Sequence, residues 1–172
     1  MNRPVSEFEV AKANRLFSEA WELLDGGKAR AGFRLLMRAA ELGDIESQQG
    51  VGYCLDVGLG VRRSERDALY WYRRAARAGD ACAACNIGIL YKDKGSRRLA
   101  MRWFQKSVEL GLNDTLLEIA RLQLESPRTR AEAILTLRRL LRVEDIVDQV
   151  REDATALLSE LTRVRLVKSA RS

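Results

Sequence analysis

The chain has 172 residues, 30 of them basic and 24 acidic, with no histidine and a formal net charge of +6. At 47% hydrophobic and 31% charged, it carries enough apolar surface for one domain with a continuous core, which excludes a disordered chain. Without histidine it lacks the commonest general base and metal ligand; its 3 cysteines make no disulfide framework, and no apolar run reaches the roughly 20 residues of a membrane span.

The first residues, Met1-Asn-Arg-Pro-Val-Ser-Glu-Phe-Glu-Val10, lack the apolar stretch of a secretory signal, so the chain is expected in the cytosol. Ser6-Glu-Phe-Glu9 has the form of a capping box, in which hydroxyl and carboxylate each satisfy a free amide at a helix start. Ala13, Leu16, Phe17, Ala20, Trp21 and Leu24 then recur at helical spacing, until Asp25-Gly26-Gly27 stops the helix. A second helix is expected from about Lys28 to Leu42, ending at Gly43. Asp44 is placed to cap a third, about Glu46 to Val57.

Gly58-Leu-Gly60-Val61 reads as a turn before a fourth helix, about Glu65 to Ala78, which ends at Gly79. Asp80 caps a helix over about 81–93. Lys94-Gly95 turns the chain into another over about 97–110. Asn113-Asp114 opens a helix over about 115–125. Ser126-Pro127 opens the next, with proline where its missing amide costs little, running to about Arg142. A longer last helix, about Glu144 to Val167, sets Val147, Val150, Ala154, Leu157, Leu158, Leu161 and Val164 on one face, and Lys168–Ser172 is expected to fray.

These helices repeat. Arg38-Ala-Ala-Glu-Leu-Gly-Asp44 returns as Arg74-Ala-Ala-Arg-Ala-Gly-Asp80, and more loosely as Lys106-Ser-Val-Glu-Leu-Gly111, at offsets of 36 and 32. A period in the thirties is the mark of stacked helical hairpins, each unable to bury its apolar face alone. Small residues keep the register: Ala20, Gly52, Gly88 and Ala120 in first helices, Gly32, Ala68, Ala100 and Ala133 in second helices. Leu36, Tyr72, Phe104 and Leu137 keep it too and are expected to form one apolar row, with Trp71, Tyr72, Trp103 and Phe104 in the core.

Val51-Gly-Tyr-Cys-Leu-Asp-Val-Gly-Leu-Gly-Val61 followed by Ala68-Leu-Tyr-Trp-Tyr-Arg-Arg-Ala-Ala-Arg-Ala-Gly79 resembles the Sel1-like repeat (SLR) family, a relative of the tetratricopeptide repeat. Ala81-x-Ala83-x-x-Asn86-Ile-Gly88 with Ala100-x-x-Trp103-Phe104 supplies a second copy. Ser64, Asp67 and Leu55 depart from the family pattern, which prefers Asp, Lys and Tyr there. The resemblance is good over about 44–111 and weaker over the flanking units. It implies an all-α protein: an α/α superhelical solenoid of about four hairpins and nine helices, short and right-handed. One domain is expected over 6–167, with repeats at 6–43, 44–79, 80–111 and 114–143 and a C-terminal capping helix at 144–167. The resemblance also implies an adaptor or scaffold without catalysis of its own; bacterial members are implicated in signalling, secretion and envelope processes.

In tetratricopeptide-like arrays, first helices line the concave face. The resemblance therefore puts Trp21, Tyr53, Ile89 and Arg121 there, with Phe17, Gln49, Cys85 and Leu117 one turn earlier and Leu24, Asp56, Lys92 and Leu124 one turn later. Phe17, Leu24 and Leu117 read rather as core, and Trp21 and Tyr53 read equally as packing between units. The expected groove, Trp21, Gln49, Tyr53, Asp56, Cys85, Ile89, Lys92 and Arg121, is aromatic toward its N-terminal end and charged toward its C-terminal end, which suits a protein or peptide partner.

Other chemistry reads as absent. Cys82-Ala-Ala-Cys85 lies at a helix start, where a thiol pKa is lowered, but no strand precedes it and a zinc site lacks further ligands, so it reads as small residues in a tight interface. Gly58-Leu-Gly60 is a turn, not a phosphate cradle. Asp145, Asp148, Glu152 and Asp153 read as a solvated face. No catalytic residue, cofactor or metal is expected. Arg62, Arg63, Arg66, Arg73 and Arg74, with Arg77, form a basic cluster mostly on a second helix, hence convex; the plain reading is that long basic stems cover the helix back and pair with residues such as Glu65 and Glu109, ahead of a second, acidic protein partner and of nucleic acid or lipid. The expected function is a non-catalytic interaction module. Two alternatives stay open: an immunity or chaperone-like protein with one cognate effector, and a basic-surface binder of nucleic acid or anionic membrane, the lesser reading at this net charge. Self-association through the last helix is also left open.

Overall fold

A computed structural model describes residues 6–169, with side chains through Arg163. Among the described residues it is all-α: α1 Glu7–Asp25, α2 Ala29–Glu41, α3 Ile45–Val57, α4 Glu65–Arg77, α5 Ala81–Asp93, α6 Arg97–Glu109, α7 Leu116–Leu124, α8 Arg130–Leu140 and α9 Asp148–Ser169. Short 3-10 turns at Asn113–Thr115 and Pro127–Thr129 lead into α7 and α8. The chain divides within α5 into two compact units, Met1–Leu90 and Tyr91–Ser172.

The helix boundaries follow from local chemistry. At the start of α1 the Ser6 amide donates to Glu9 Oε2 at 2.9 Å and the Glu9 amide to Ser6 Oγ at 3.2 Å, the expected capping box. Helices α2 and α4 end alike. The Asp44 amide donates back to the Ala39 carbonyl and the Asp80 amide to the Ala75 carbonyl, closing the last turn. The same two aspartates then start the next helices: Asp44 Oδ1 accepts from the Ser47 amide at 2.7 Å, and Asp80 Oδ1 from the Ala83 amide. One Gly-Asp pair thus ends one helix and begins another, which is why the hairpins are closely spaced.

In unit 1, α1 packs on α2, α2 on α3 and α3 on α4. The register of small against large residues is steric. A Cβ on Gly52 would stand 2.5 Å from the Tyr72 ring, and one on Gly32 2.7 Å from both the Ala20 carbonyl oxygen and Leu24 Cγ. Glycine in mid-helix costs about 1 kcal/mol against alanine; here that cost lets the helices meet closely enough to bury Tyr72 to 1% exposure. The Tyr72 side chain is also hydrogen-bonded to Asn86 on α5. Gly60, at φ +71°, lies so close to α2 that a Cβ would overlap the Ala29 carbonyl; the turn therefore docks on the neighbouring hairpin rather than merely reversing the chain.

In unit 2, Phe104 and Leu137 fill the equivalent row and are fully buried, and Ala100, Ala120 and Ala133 keep the small positions. α7 packs on α8, and α9 on α8. Ser107 and Thr115 share a buried hydroxyl hydrogen bond of 2.9 Å.

Several expectations need correction. Trp71 and Trp103 are not in the core: only Tyr72 and Phe104 of that group are fully buried, and the tryptophans are half-buried on the outer faces of α4 and α6. α8 stops at Leu140, short of Arg142. α9 starts at Asp148, not Glu144. Residues 144–147 remain an open loop because Arg151 donates to the carbonyls of Val143 and Glu144, both at 3.0 Å, and the Val147 amide donates to Asp114. Val147 is consequently 59% exposed, and Ile146 is buried in its place. Ala154 and Leu161 are buried as the apolar face requires, with Val150, Leu157 and Leu158 half-buried; the Val164 side chain lies outside the described residues. α9 runs through Ser169, and 170–172, the rest of the expected tail, lie outside the described residues.

Candidate functional site

The residues expected to line a binding groove fall into two groups, one in each unit. In unit 1, Phe17 and Trp21 project from α1 one turn apart and meet edge to face, ring centroids 6.2 Å apart at 73°. Trp21 also leans on α3, where its Cζ2 lies 3.6 Å from the position a Gly50 Cβ would take. Tyr53, from α3, is 40% exposed. Gln49 and Asp56 flank it on the same helix, and Cys85 and Ile89 are half-buried on α5. The Asp56 carbonyl accepts from Arg63 Nε at 2.7 Å, tying the turn after α3 to its last residues. Leu24 belongs to the core.

Beside Phe17 an open depression of about 660 Å³ runs between α1 and the start of α3. Val10, Ala13 and Ile45 supply its apolar lining, Asn14 and Ser18 its polar points, and Asp44 and Glu46 its rim. Val10 and Ile45 are exposed aliphatics that the sequence reading missed. The signal was present: Val10 lies seven residues before Phe17, on the same helix face.

Unit 2 differs. Lys92 Nζ lies 2.6 Å from Glu118 Oε2, Arg121 donates to Glu118 Oε1 at 2.7 Å, and its other nitrogen reaches Asp153 Oδ2 at 2.7 Å. Gln149 Nε2 donates to the second Asp153 oxygen at 3.0 Å. Lys92 and Arg121 thus belong to a charge ladder crossing α5, α7 and α9. Burial pulls the Glu118 carboxyl upward, but hydrogen bonds from Lys92 and Arg121 outweigh it and hold it below its ordinary pKa. Asp153, expected on a solvated face, is instead the ladder's last rung. Leu117 is buried and Leu124 half-buried.

The cysteines run against the expectation for a helix start. Burial and the Asp80 carboxylate both raise the Cys82 thiol pKa, and burial pushes Cys54 up to about 11. The N-cap carboxylate that builds α5 opposes the thiolate there. Among the described residues no group of three or more His, Cys, Asp or Glu could hold a metal ion, and no helix is long and apolar enough to cross a membrane.

On α4, Arg66, Arg73, Arg74 and Arg77 gather around Tyr70 and Asp67. Arg62 and Arg63 lie in the turn before the helix, and Arg63 pairs with Glu65 at 3.1 Å. Lys106 pairs with Glu109 at 3.4 Å, as the plain reading of the basic residues expects.

Comparison with known proteins agrees with the repeat reading. The Sel1 repeat family profile matches residues 45–80 and 83–112. A sel1-like repeat-containing protein of Acanthamoeba polyphaga mimivirus is 30% identical over 86 residues, 49% of this chain and 16% of its own length. The chain therefore spans about a sixth of that relative. Among solved structures, a Sel1 repeat protein from Oxalobacter formigenes superposes with a TM-score of 0.73 at 18% identity, over 90% of this chain and 65% of that one. A protective antigen of uropathogenic Escherichia coli strains, displaying an SLR fold, gives 0.72 at 17% identity, over 89% of this chain and 34% of that one. The chain thus matches the Sel1 repeat over 45–80 and 83–112 and shares an all-α solenoid fold with solved Sel1-like repeat proteins.

Proposed function

We propose that this protein is a non-catalytic interaction module that binds an extended or helical segment of a partner protein on the first-helix face of unit 1. Sel1 repeat proteins generally act as protein-interaction modules. One observation carries the finer reading. Half-buried Trp21, braced by Phe17, and exposed Tyr53 stand on packed first helices, and Phe17 also lines an open depression with Val10 and Ile45. Large aromatics presented on a rigid scaffold supply binding energy at little entropic cost, and such residues dominate interfaces. Gln49 and Asp56 offer polar groups that fix the register of a bound segment, and Val10 and Ile45 extend its apolar footing.

Lys92 and Arg121 have a smaller part in this reading, because their charges are neutralised by Glu118 and Asp153. Once a partner has been captured from the native cell and identified, hydrogen exchange with and without it tests the assignment. Added protection is expected in α1 and α3. Protection confined to α7 and α9 contradicts it.

A further inference from the structure

The outer face of α4 carries a second surface, independent of the aromatic one. Arg66, Arg73 and Arg77 line a shallow depression of about 490 Å³ with Asp67, Tyr70 and Arg74. The helix macrodipole accounts for Arg74 and Arg77, which sit in the last turn where cations are favoured. It does not account for Arg66. That residue lies in the first turn, where a cation is disfavoured, and among the described residues no carboxylate pairs with it. The adjacent Asp67 accepts from the Ser64 hydroxyl at 2.6 Å, and the adjacent Glu65 pairs with Arg63. Arg74 packs over the Trp71 ring at 5.4 Å, and Trp71 in turn meets Tyr70 edge to face at 5.4 Å. The guanidinium is thereby held in place before any ligand arrives.

We infer that the α4 face binds an acidic, Asp/Glu-rich segment of a protein partner. From Arg66 to Arg77 the helix rises about 16 Å, the reach of about five residues of extended chain. All four cations are arginines, whose forked donors match carboxylates two bonds at a time. Single-stranded nucleic acid calls for successive stacking rings, and this face offers only Tyr70, at 59% exposure. A bilayer calls for bulky aliphatics that insert, and α4 exposes none.

The test is fluorescence anisotropy with a labelled octapeptide of alternating Glu and Asp, run beside duplex DNA and anionic lipid vesicles. The wild-type protein binds the peptide, more weakly as salt rises. Arg66→Gln/Arg77→Gln weakens binding about tenfold or more, whereas Arg138→Gln/Arg139→Gln on α8, which removes the same charge, changes it less than about twofold. Trp21→Ala/Tyr53→Ala leaves it unchanged, so this surface and the aromatic face fail separately. Equal losses in the two arginine pairs reduce the effect to net charge and overturn the proposal. So does tighter binding of DNA or vesicles than of peptide. A mass in light scattering that grows with concentration and is abolished by Arg66→Gln/Arg77→Gln makes a second copy the occupant, and overturns it equally. Circular dichroism of each variant confirms that the helices are retained.

Discussion

The first helices of the two units follow the same small-residue register and present opposite chemistry. In unit 1, α1 and α3 hold out Trp21 and Tyr53, and Phe17 lines an open depression. In unit 2, the α7 side chains at comparable positions are tied into a ladder from Lys92 through Glu118 and Arg121 to Asp153. The buried rows match: Ala20, Gly52 and Tyr72 in one unit, Ala120, Phe104 and Leu137 in the other. Inward positions are constrained by what two helices can approach, whereas outward ones are constrained only by their immediate neighbours. The repeat therefore dictates the frame and leaves the surface free to diverge. Unit 2 has used its outward charges to fasten helices together, and unit 1 has kept its aromatics available.

Ways to break the shared frame come first, because their effects are largest. Tyr72→Ala in unit 1 and Phe104→Ala in unit 2 each remove a fully buried ring and are expected to destabilise by about 3–5 kcal/mol, read by denaturant unfolding. If the hairpins form one domain over 6–167, as the repeat spacing predicts, either change lowers a single transition, followed alike by helicity and fluorescence. Two transitions, each sensitive to one substitution, break that expectation. Next is Gly52→Ala. The helix itself gains about 1 kcal/mol, but the new methyl meets the Tyr72 ring. A net loss of about 1–3 kcal/mol is expected.

Smaller changes sharpen the contrast between the units. The folded state holds the Glu118 carboxyl below its ordinary pKa. Its contribution to stability is therefore complete above the unfolded value, about 4.3, and is lost as pH falls through the folded one. Glu118→Gln should be less stable than wild type near neutrality, and the gap should close in acid; a gap that stays constant with pH removes the ladder from the account. Smallest is the Arg121–Asp153 pair, whose side chains are 47% and 38% exposed. A double-mutant cycle should return about 0.2–1 kcal/mol.

Much of this architecture is legible in the residues themselves. Glycine followed by aspartate marks two of the hairpin junctions, 43–44 and 79–80, because one residue satisfies a helix end and the other a helix start. The small-against-large register is visible in the spacing of Gly52 and Tyr72, since only a narrow residue fits opposite a ring. What is not legible depends on contacts distant in sequence. Asp153 lies 32 residues from the Arg121 it neutralises, and nothing local in α9 marks it from its acidic neighbours. The loop at 144–147 looks helical until Arg151 is seen holding its carbonyls. Trp71 and Trp103 occupy positions that the repeat assigns to packing, yet a single-helix pattern does not say how much of so large a ring is covered. Trp21 and Tyr53 are legible as positions in the repeat register, whereas the depression lined by Val10 and Ile45 depends on α1 and α3 meeting across 35 residues of chain.

The most direct test is calorimetric titration of the identified partner into wild-type protein and into Trp21→Ala/Tyr53→Ala, with Lys92→Ala/Arg121→Ala as the matched change in unit 2. If the unit 1 aromatic face carries recognition, the aromatic pair loses about 2 kcal/mol or more, roughly 30-fold in affinity, and the charged pair loses little. Unchanged affinity without the two rings, with helicity intact, contradicts the account.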